Sequence, residues 1–434
     1  MPLPQFPAPP IAARPGVASH RVPVLALAAA SLLGGLAGGL ARLGTGSPSP
    51  DGAAAGHGVL MTLGFLGTLI ALERAVALRR AWGYLAPILS GVGGLAIIVG
   101  VPAPWPPLLM AAAGAWLCAG YVVMWQRQPT LHITVEALGA LAWWGCAMVW
   151  LTGTDLPGLA PWLAAYIVLT IAGERLELAR VALLGRRYRE AVLVWSALIL
   201  AGPVLTIASP AAGARVLGVG LLVLSAWLVR YDVARHTVRA HGLTRYMAVC
   251  LLAGYVWLGV AAVMWTWHGS LTQGPAYDAT LHAVFLGFAM SMVFGHAPVI
   301  LPAVLRVRLP HHPRDYAVLV LLHVSLTLRI VGGDLAGLEP LRVTGGILNV
   351  VVLLAFVANS ATSVYGARRA TQGSSGSRTP QGQRERRAAT TSVASRTSTT
   401  ARTATTATTA EASTTVSTPT TARATPPQHQ GDPR

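Results

Sequence analysis

Twelve apolar segments, each about as long as a bilayer is thick, follow one another through most of this chain. A helix needs about 20 residues to cross the hydrocarbon core of a membrane. Strands fit poorly, because these Leu-, Ala- and Gly-rich segments lack alternation and lipid cannot satisfy open backbone groups. The sequence therefore predicts an all-α fold, a polytopic membrane helix bundle of about twelve transmembrane helices. The segments cover residues 22–43, 54–78, 84–101, 105–125, 131–152, 160–182, 190–208, 213–231, 245–267, 279–305, 315–331 and 342–362.

The composition excludes a soluble globular protein. Only 11% of the residues are charged, whereas about a quarter would be charged in a soluble domain. The net charge of +17 is carried by arginine alone, since the chain contains no lysine. A strong positive charge can indicate nucleic-acid binding, but the apolar content and the placement of the arginines argue against it. We expect the lipid bilayer, and not nucleic acid, as the partner.

The chain divides into three predicted parts. Residues 1–20 are Pro-rich and are predicted to form a disordered N-terminal arm, and residues 21–362 form the twelve-helix domain. Residues 363–434 are rich in Thr, Ser, Ala and Arg and have almost no large apolar side chains, so a disordered cytoplasmic tail is predicted. The tail is interpreted as a solvated segment. An Arg-rich tail that lies on anionic lipid is the alternative.

The arginines of the loops predict the orientation of the helices. They cluster before the first segment and after the even-numbered ones, while the opposite loops hold acidic residues and single arginines. By the positive-inside rule, both termini of a multi-pass protein in the cell membrane are then cytoplasmic. The clustered arginines are Arg14, Arg21, Arg79, Arg80, Arg127, Arg186, Arg187, Arg189, Arg235, Arg239, Arg306, Arg308 and Arg314.

Two similar charged motifs lie within apolar segments. Segment 2 contains Ile-Ala-Leu followed by Glu73 and Arg74, and segment 6 contains Ile-Ala-Gly followed by Glu174 and Arg175. Charged groups at membrane depth are costly and call for a role. Glu177 shares a helical face with Glu174, and a further glutamate starts segment 5. We predict a polar layer of Glu–Arg pairs that fasten helices, or alternatively a proton, ion or anion site. The predicted layer consists of Glu73, Arg74, Glu136, Glu174, Arg175 and Glu177.

Histidines form the second class of polar group. His57 and His282 begin segments 2 and 10 at a similar depth near the outer face, so two imidazoles could hold one haem iron between them. His296 shares a face with His282, but about 21 Å separates them along a helix, too far for one metal ion. Met292 precedes His296 by one helical turn, and a thioether with an imidazole could bind copper. The predicted metal-binding residues are therefore His57, His282 and His296.

Segments 2 and 10 resemble a known superfamily. His57 with Leu63-Gly64-Phe65, and His282 with Gly287-Phe288, Gly295 and Pro302, are similar to helices 2 and 10 of subunit I of haem–copper oxidases and nitric oxide reductases. The resemblance implies that His57 and His282 are the axial ligands of a low-spin haem b. Thr280 stands where that family has a second histidine, and residues 160–182 and 190–208 contain none. Oxygen reduction is therefore not expected.

The run His282, Ala283, Gly287, Met292, Gly295 and His296 also resembles the NnrS family of twelve-helix membrane proteins that contain haem and copper. This resemblance implies a role in the response to nitric oxide or redox stress, with a redox partner that the sequence does not identify. A transporter or permease that uses the Glu/Arg layer is the first alternative, and a structural or assembly protein is the second. No catalytic residue is assigned, and whether the protein is an enzyme stays open.

Overall fold

The structure is a computed structural model that describes residues 19–178, 185–307 and 309–376. The spanning helices belong to the first of two units, Met1–Arg368. The second unit is Arg369–Arg434, of which only the end of one helix is described. The predictions of disorder before residue 19 and after residue 376 lie outside the described residues.

Within the described ranges, twelve helices are long and apolar enough to cross a membrane, and there are no strands. The predicted fold class, an all-α polytopic bundle, is confirmed. We number the spans α1 (Val22–Arg42), α2 (Gly52–Leu78), α3 (Ala81–Ile98), α4 (Trp105–Arg127), α5 (Leu131–Leu151), α6 (Leu156–Glu177), α7 (Arg186–Thr206), α8 (Pro210–Tyr231), α9 (Gly242–His268), α10 (Gly274–Leu305), α11 (Arg314–Leu335) and α12 (Glu339–Ala367).

Some helices extend beyond the apolar segments that predicted them. The last helix continues to Gly376, past the boundary predicted at residue 362, so the first residues assigned to the disordered tail are helical. α10 begins at Gly274, whereas the sequence indicated residue 279. The physical reason is that apolar length measures the depth of the hydrocarbon core, whereas a helix can continue into polar surroundings where Thr, Ala and Arg are acceptable.

α6 lies at the centre of the bundle. Residues 159–173 are all buried, so this helix is covered on every side, as expected for a helix that is apolar all round. It contacts α2, α5, α7, α8 and α10. A central helix can bring charged residues of several neighbours together, and the consecutive Glu174 and Arg175 lie near its end.

The outside of the bundle carries large apolar side chains that face no other part of the protein. Val256 is 64% exposed, and Val263 and Val320 are also more than half exposed. A soluble protein rarely shows such a continuous apolar surface. With twelve candidate spans, this surface fits the hydrocarbon core of a bilayer, and the chain is a multi-pass membrane protein.

Three spans contain a stretch of π-helix. These stretches are Leu60–Gly67 in α2, Ala283–Met290 in α10 and Leu328–Leu335 in α11. π-helical turns are rare and often mark functional sites. All three stretches contribute side chains to one cavity, which is described below.

Candidate functional site

A cavity of about 520 Å³ lies between α1, α2, α6, α10, α11 and α12. Ligand pockets of proteins typically enclose about 300–1,000 Å³ and are mostly apolar with a few polar groups. This cavity follows that pattern, since leucines, methionines and a phenylalanine dominate its lining. The apolar lining includes Leu36, Leu43, Met61, Leu66, Leu163, Phe285, Leu286, Met290, Val350 and Leu353.

His57 and His282 meet at this cavity, although they come from distant parts of the chain. Their ring centroids are 6.5 Å apart and the two ring planes are inclined by 25°. Both side chains line the cavity wall. Gly39 of α1 makes room for the first ring, because a Cβ there would lie 2.9 Å from Cε1 of His57.

Backbone carbonyl groups fix the orientation of both imidazoles. Nδ1 of His57 lies 2.6 Å from the Gly35 oxygen, and Nδ1 of His282 lies 2.8 Å from the Asp278 oxygen. A carbonyl can only accept, so each Nδ1 carries the hydrogen and each Nε2 keeps its lone pair. Neither Nε2 atom has a hydrogen-bond partner among the described residues. This is the tautomer and the support that metal-binding histidines commonly have.

The separation of the rings agrees with two imidazoles on opposite sides of one metal ion. A metal–nitrogen bond of about 2.0 Å on each side, with the nitrogen about 1.2 Å from its ring centre, would place the centroids about 6.4 Å apart. The observed distance is 6.5 Å. At this distance, with one free lone pair on each ring, two imidazoles could hold one haem between them.

Charged side chains line one part of the same cavity. Arg42, Arg329 and Arg342 contribute guanidinium groups, and Asp278 and Asp334 contribute carboxylates. Arg329 makes two contacts with Asp278, of 2.9 and 3.0 Å, and is 7% exposed. None of these charged residues was predicted to belong to a site. The position of Arg329 within an apolar segment is the sequence signal that could have indicated it.

His296 lies in a different environment from the other two histidines. Its Nε2 accepts from Nη1 of Arg175 at 3.2 Å, and its Nδ1 donates to the Met292 carbonyl at 2.8 Å. Both ring nitrogens are thus engaged, and the structure does not bring His296 to the His57–His282 pair. No imidazole lone pair is therefore left for the copper site that was predicted at His296 and Met292.

The predicted polar layer separates into two networks, one anchored on α6 by Glu174 and the other by Arg175. In the first, Arg74 contacts Glu136 at 3.0 Å, Glu174 at 2.9 Å and Glu73 at 3.4 Å. This network joins α2, α5 and α6. Glu177 is exposed and is not among these ion pairs.

The second network is centred on Arg175, which pairs with Asp232, a residue outside the predicted layer. Its Nε and Nη2 atoms contact Asp232, in the connection after α8, at 2.9 and 3.0 Å. Asp232 also accepts from the Tyr255 hydroxyl at 2.9 Å and from the Ala234 backbone at 2.7 Å. Loop aspartates of this kind carry no sequence signal that distinguishes them from solvated ones.

Among the residues that the structure describes, no three His, Cys, Asp or Glu side chains converge as the ligands of a metal ion. A haem needs only two axial side chains, so this finding bears on small metal-ion centres and not on the His57–His282 pair.

One family model matches the chain, over residues 21–365, and its description reads domain of unknown function (DUF8744). The match covers all twelve spanning helices except the end of the last. No curated protein and no solved structure matches the chain. The resemblance to the NnrS and haem–copper oxidase families therefore stays a prediction.

Proposed function

The chain belongs to the family described as a domain of unknown function (DUF8744), and we propose that it is a membrane protein that binds haem b. His57 and His282 are the axial ligands in this proposal. The observation that carries it is the meeting of these two imidazoles across an apolar cavity, 6.5 Å apart and with both Nδ1 atoms held by backbone carbonyls.

The cavity lining supplies what such a cofactor requires. Its leucines, methionines and Phe285 would contact the macrocycle and exclude water. Haem b carries two carboxylates, and Arg42 offers charge-assisted hydrogen bonds to them. Arg329 and Arg342 line the same cavity, but each is also paired with an acidic residue, Asp278 and Glu339. A haem with two protein ligands supplies one-electron transfer. A role in the response to nitric oxide or redox stress, as the NnrS resemblance implies, belongs to the same proposal.

The test is a reduced-minus-oxidised optical spectrum of the protein purified from haem-replete cells. We expect a Soret band with resolved α and β bands, and about one haem per chain by pyridine haemochrome assay. In His57→Ala and in His282→Ala the resolved bands should disappear, because one axial nitrogen is lost. His132→Ala is the matched control, since His132 lies at the start of α5, away from the cavity, and its side chain hydrogen-bonds Thr130.

Two outcomes would overturn the proposal. One is a colourless preparation from cells in which a known haem protein is fully loaded. The other is a wild-type spectrum in both histidine variants, which would place the haem elsewhere.

The transporter alternative receives no specific support from the geometry. The Glu–Arg layer on which it depends is engaged in ion pairs that join helices. The orientation with cytoplasmic termini remains a proposal that rests on the arginine distribution.

A further inference from the structure

The network around Arg74 holds more carboxylates than positive charges. Glu73, Glu136 and Glu174 all lie within ion-pair distance of this one guanidinium. If all three were ionised, the network would carry two uncompensated negative charges in the membrane domain. Like charges that share a buried site cannot all stay ionised at low cost, because little solvent screens them.

Several polar atoms in and near the network are buried and have no hydrogen-bond partner among the described residues. Oε1 of Glu136 is the most notable, because this residue is only 1% exposed while its Oε2 contacts Arg74. The hydroxyls of Tyr121 and Tyr166 are also unpartnered, and both tyrosines are almost completely buried within electrostatic reach of Arg74. A buried carboxylate oxygen without a hydrogen-bond donor is costly while the group is ionised, so the charge state of Glu136 requires an explanation.

The three carboxylates differ in their exposure at the protein surface. Glu73 and Glu174 have side chains that are 26% and 17% exposed, whereas Glu136 is enclosed. Glu177 is exposed one helical turn after Glu174. The other titratable or charged groups that face the network are His132, Tyr121, Tyr166, Arg175 and His296, and Arg175 is neutralised by Asp232.

We propose that Glu136 is a proton-binding site, with the proton on Oε1 at neutral pH, and that Glu174 and Glu73 connect it to the aqueous side on which Glu177 is exposed. The proton comes from water on that side and returns to it, and no electron moves. The proton removes one of the two excess charges and gives the unpartnered oxygen a hydrogen to share. The site is independent of the haem proposal, because none of its residues lines the cavity of His57 and His282.

Infrared difference spectroscopy of the full chain in lipid vesicles tests this inference. Spectra taken from mildly acidic to mildly alkaline pH should show the C=O stretch of a protonated carboxylic acid, which shifts in deuterated water and shifts again when glutamate is labelled with carbon-13. The band should be present at neutral pH and vanish on alkaline titration. The band should be absent in Glu136→Gln. Glu177→Gln, which changes an exposed glutamate, is the control and should keep the band.

The labelled wild-type protein decides the question even if Glu136→Gln fails to fold. Absence of a glutamic acid band at neutral pH in the wild type overturns the proposal. A band that persists in folded Glu136→Gln and is lost in Glu174→Gln overturns the assignment to Glu136. None of these measurements depends on bound haem, so failure here is distinguishable from failure of the proposed function.

Discussion

Arg175 and Asp232 form the most enclosed ion pair among the described residues, with side chains 5% and 1% exposed. Removal of one partner from a buried pair leaves an uncompensated charge and typically costs 3–5 kcal/mol. We therefore expect Arg175→Met to lower the free energy of unfolding by about 3–5 kcal/mol. Unfolding in mixed micelles with increasing SDS, followed by tryptophan fluorescence, measures this change.

The control is an exposed pair on the neighbouring helix. Arg186 and Glu190 contact each other at 2.7 Å but are 92% and 54% exposed, and such pairs contribute about 0–1 kcal/mol. Arg186→Met should therefore unfold almost as the wild type does. Addition of Asp232→Asn to Arg175→Met should recover part of the loss. Equal stability of the two single variants would contradict the importance of the buried pair.

At the level of single residues, the sequence indicated which side chains are unusual but not which of them pair. A glutamate or arginine in an apolar segment is visible in the sequence, and all six layer residues were selected on that ground. Five of them divide between two networks, because the rotation of α6 sends the adjacent Glu174 and Arg175 to different neighbours, while Glu177 belongs to neither. Asp232 was not predicted to belong to the layer because it lies just outside the apolar segment 213–231.

At the level of helices, apolar length predicted the number and order of the spans, because the thickness of a bilayer imposes a minimum length. The π-helical stretches could not be predicted in this way. They depend on a local widening of the helix that composition does not encode, and residues 60–67 read as an ordinary apolar segment. The same holds for the ends of α2 and α10, where Arg79 and Arg306 adopt left-handed backbone conformations without glycine.

The π-helical stretch of α10 directly follows His282 and sets the rotation of this residue relative to the rest of the helix. Insertion of one alanine after Leu286 should add about 100° of rotation between the two parts of the helix. His282 would then turn away from His57. We expect loss of the two-histidine haem spectrum with little change in helix content by circular dichroism.

Insertion of one alanine after Gly366 is the matched control for this experiment. Gly366 lies near the end of the last helix, and a Cβ there would meet no atom within 4 Å. This insertion rotates only the residues that follow, so the spectrum should be unchanged. Retention of the wild-type spectrum with the alanine after Leu286 would show that the π-helical stretch does not orient His282.

For the molecule as a whole, the sequence singled out two histidines that lie close together in the fold, but not what surrounds them. His57 and His282 stood out because two histidines lay at a similar depth in different segments, and the fold brings their rings together. The cavity between them could not be predicted, since six helices contribute to it and the packing of those helices is a property of the folded chain. Its charged lining was overlooked for the same reason.

The arginine distribution predicts which end of the bundle faces the cytoplasm. Gln128 and Thr152 flank α5 at its opposite ends and are both exposed. The positive-inside rule assigns Gln128, next to Arg127, to the cytoplasm and Thr152 to the outside. We expect a membrane-impermeant maleimide to label Thr152→Cys in intact cells and Gln128→Cys only after permeabilisation.

The labelling uses a variant in which the three native cysteines, Cys118, Cys146 and Cys250, are replaced by alanine. All three lie within spans. The two introduced cysteines also serve as controls for each other, because both should react fully with the maleimide once the membrane is permeabilised. The reverse pattern in intact cells would place the His57–His282 cavity at the cytoplasmic face and Glu136 towards the outside. In that case an electron donor would reach the proposed haem from the cytoplasm, and a proton would reach Glu136 from the outside.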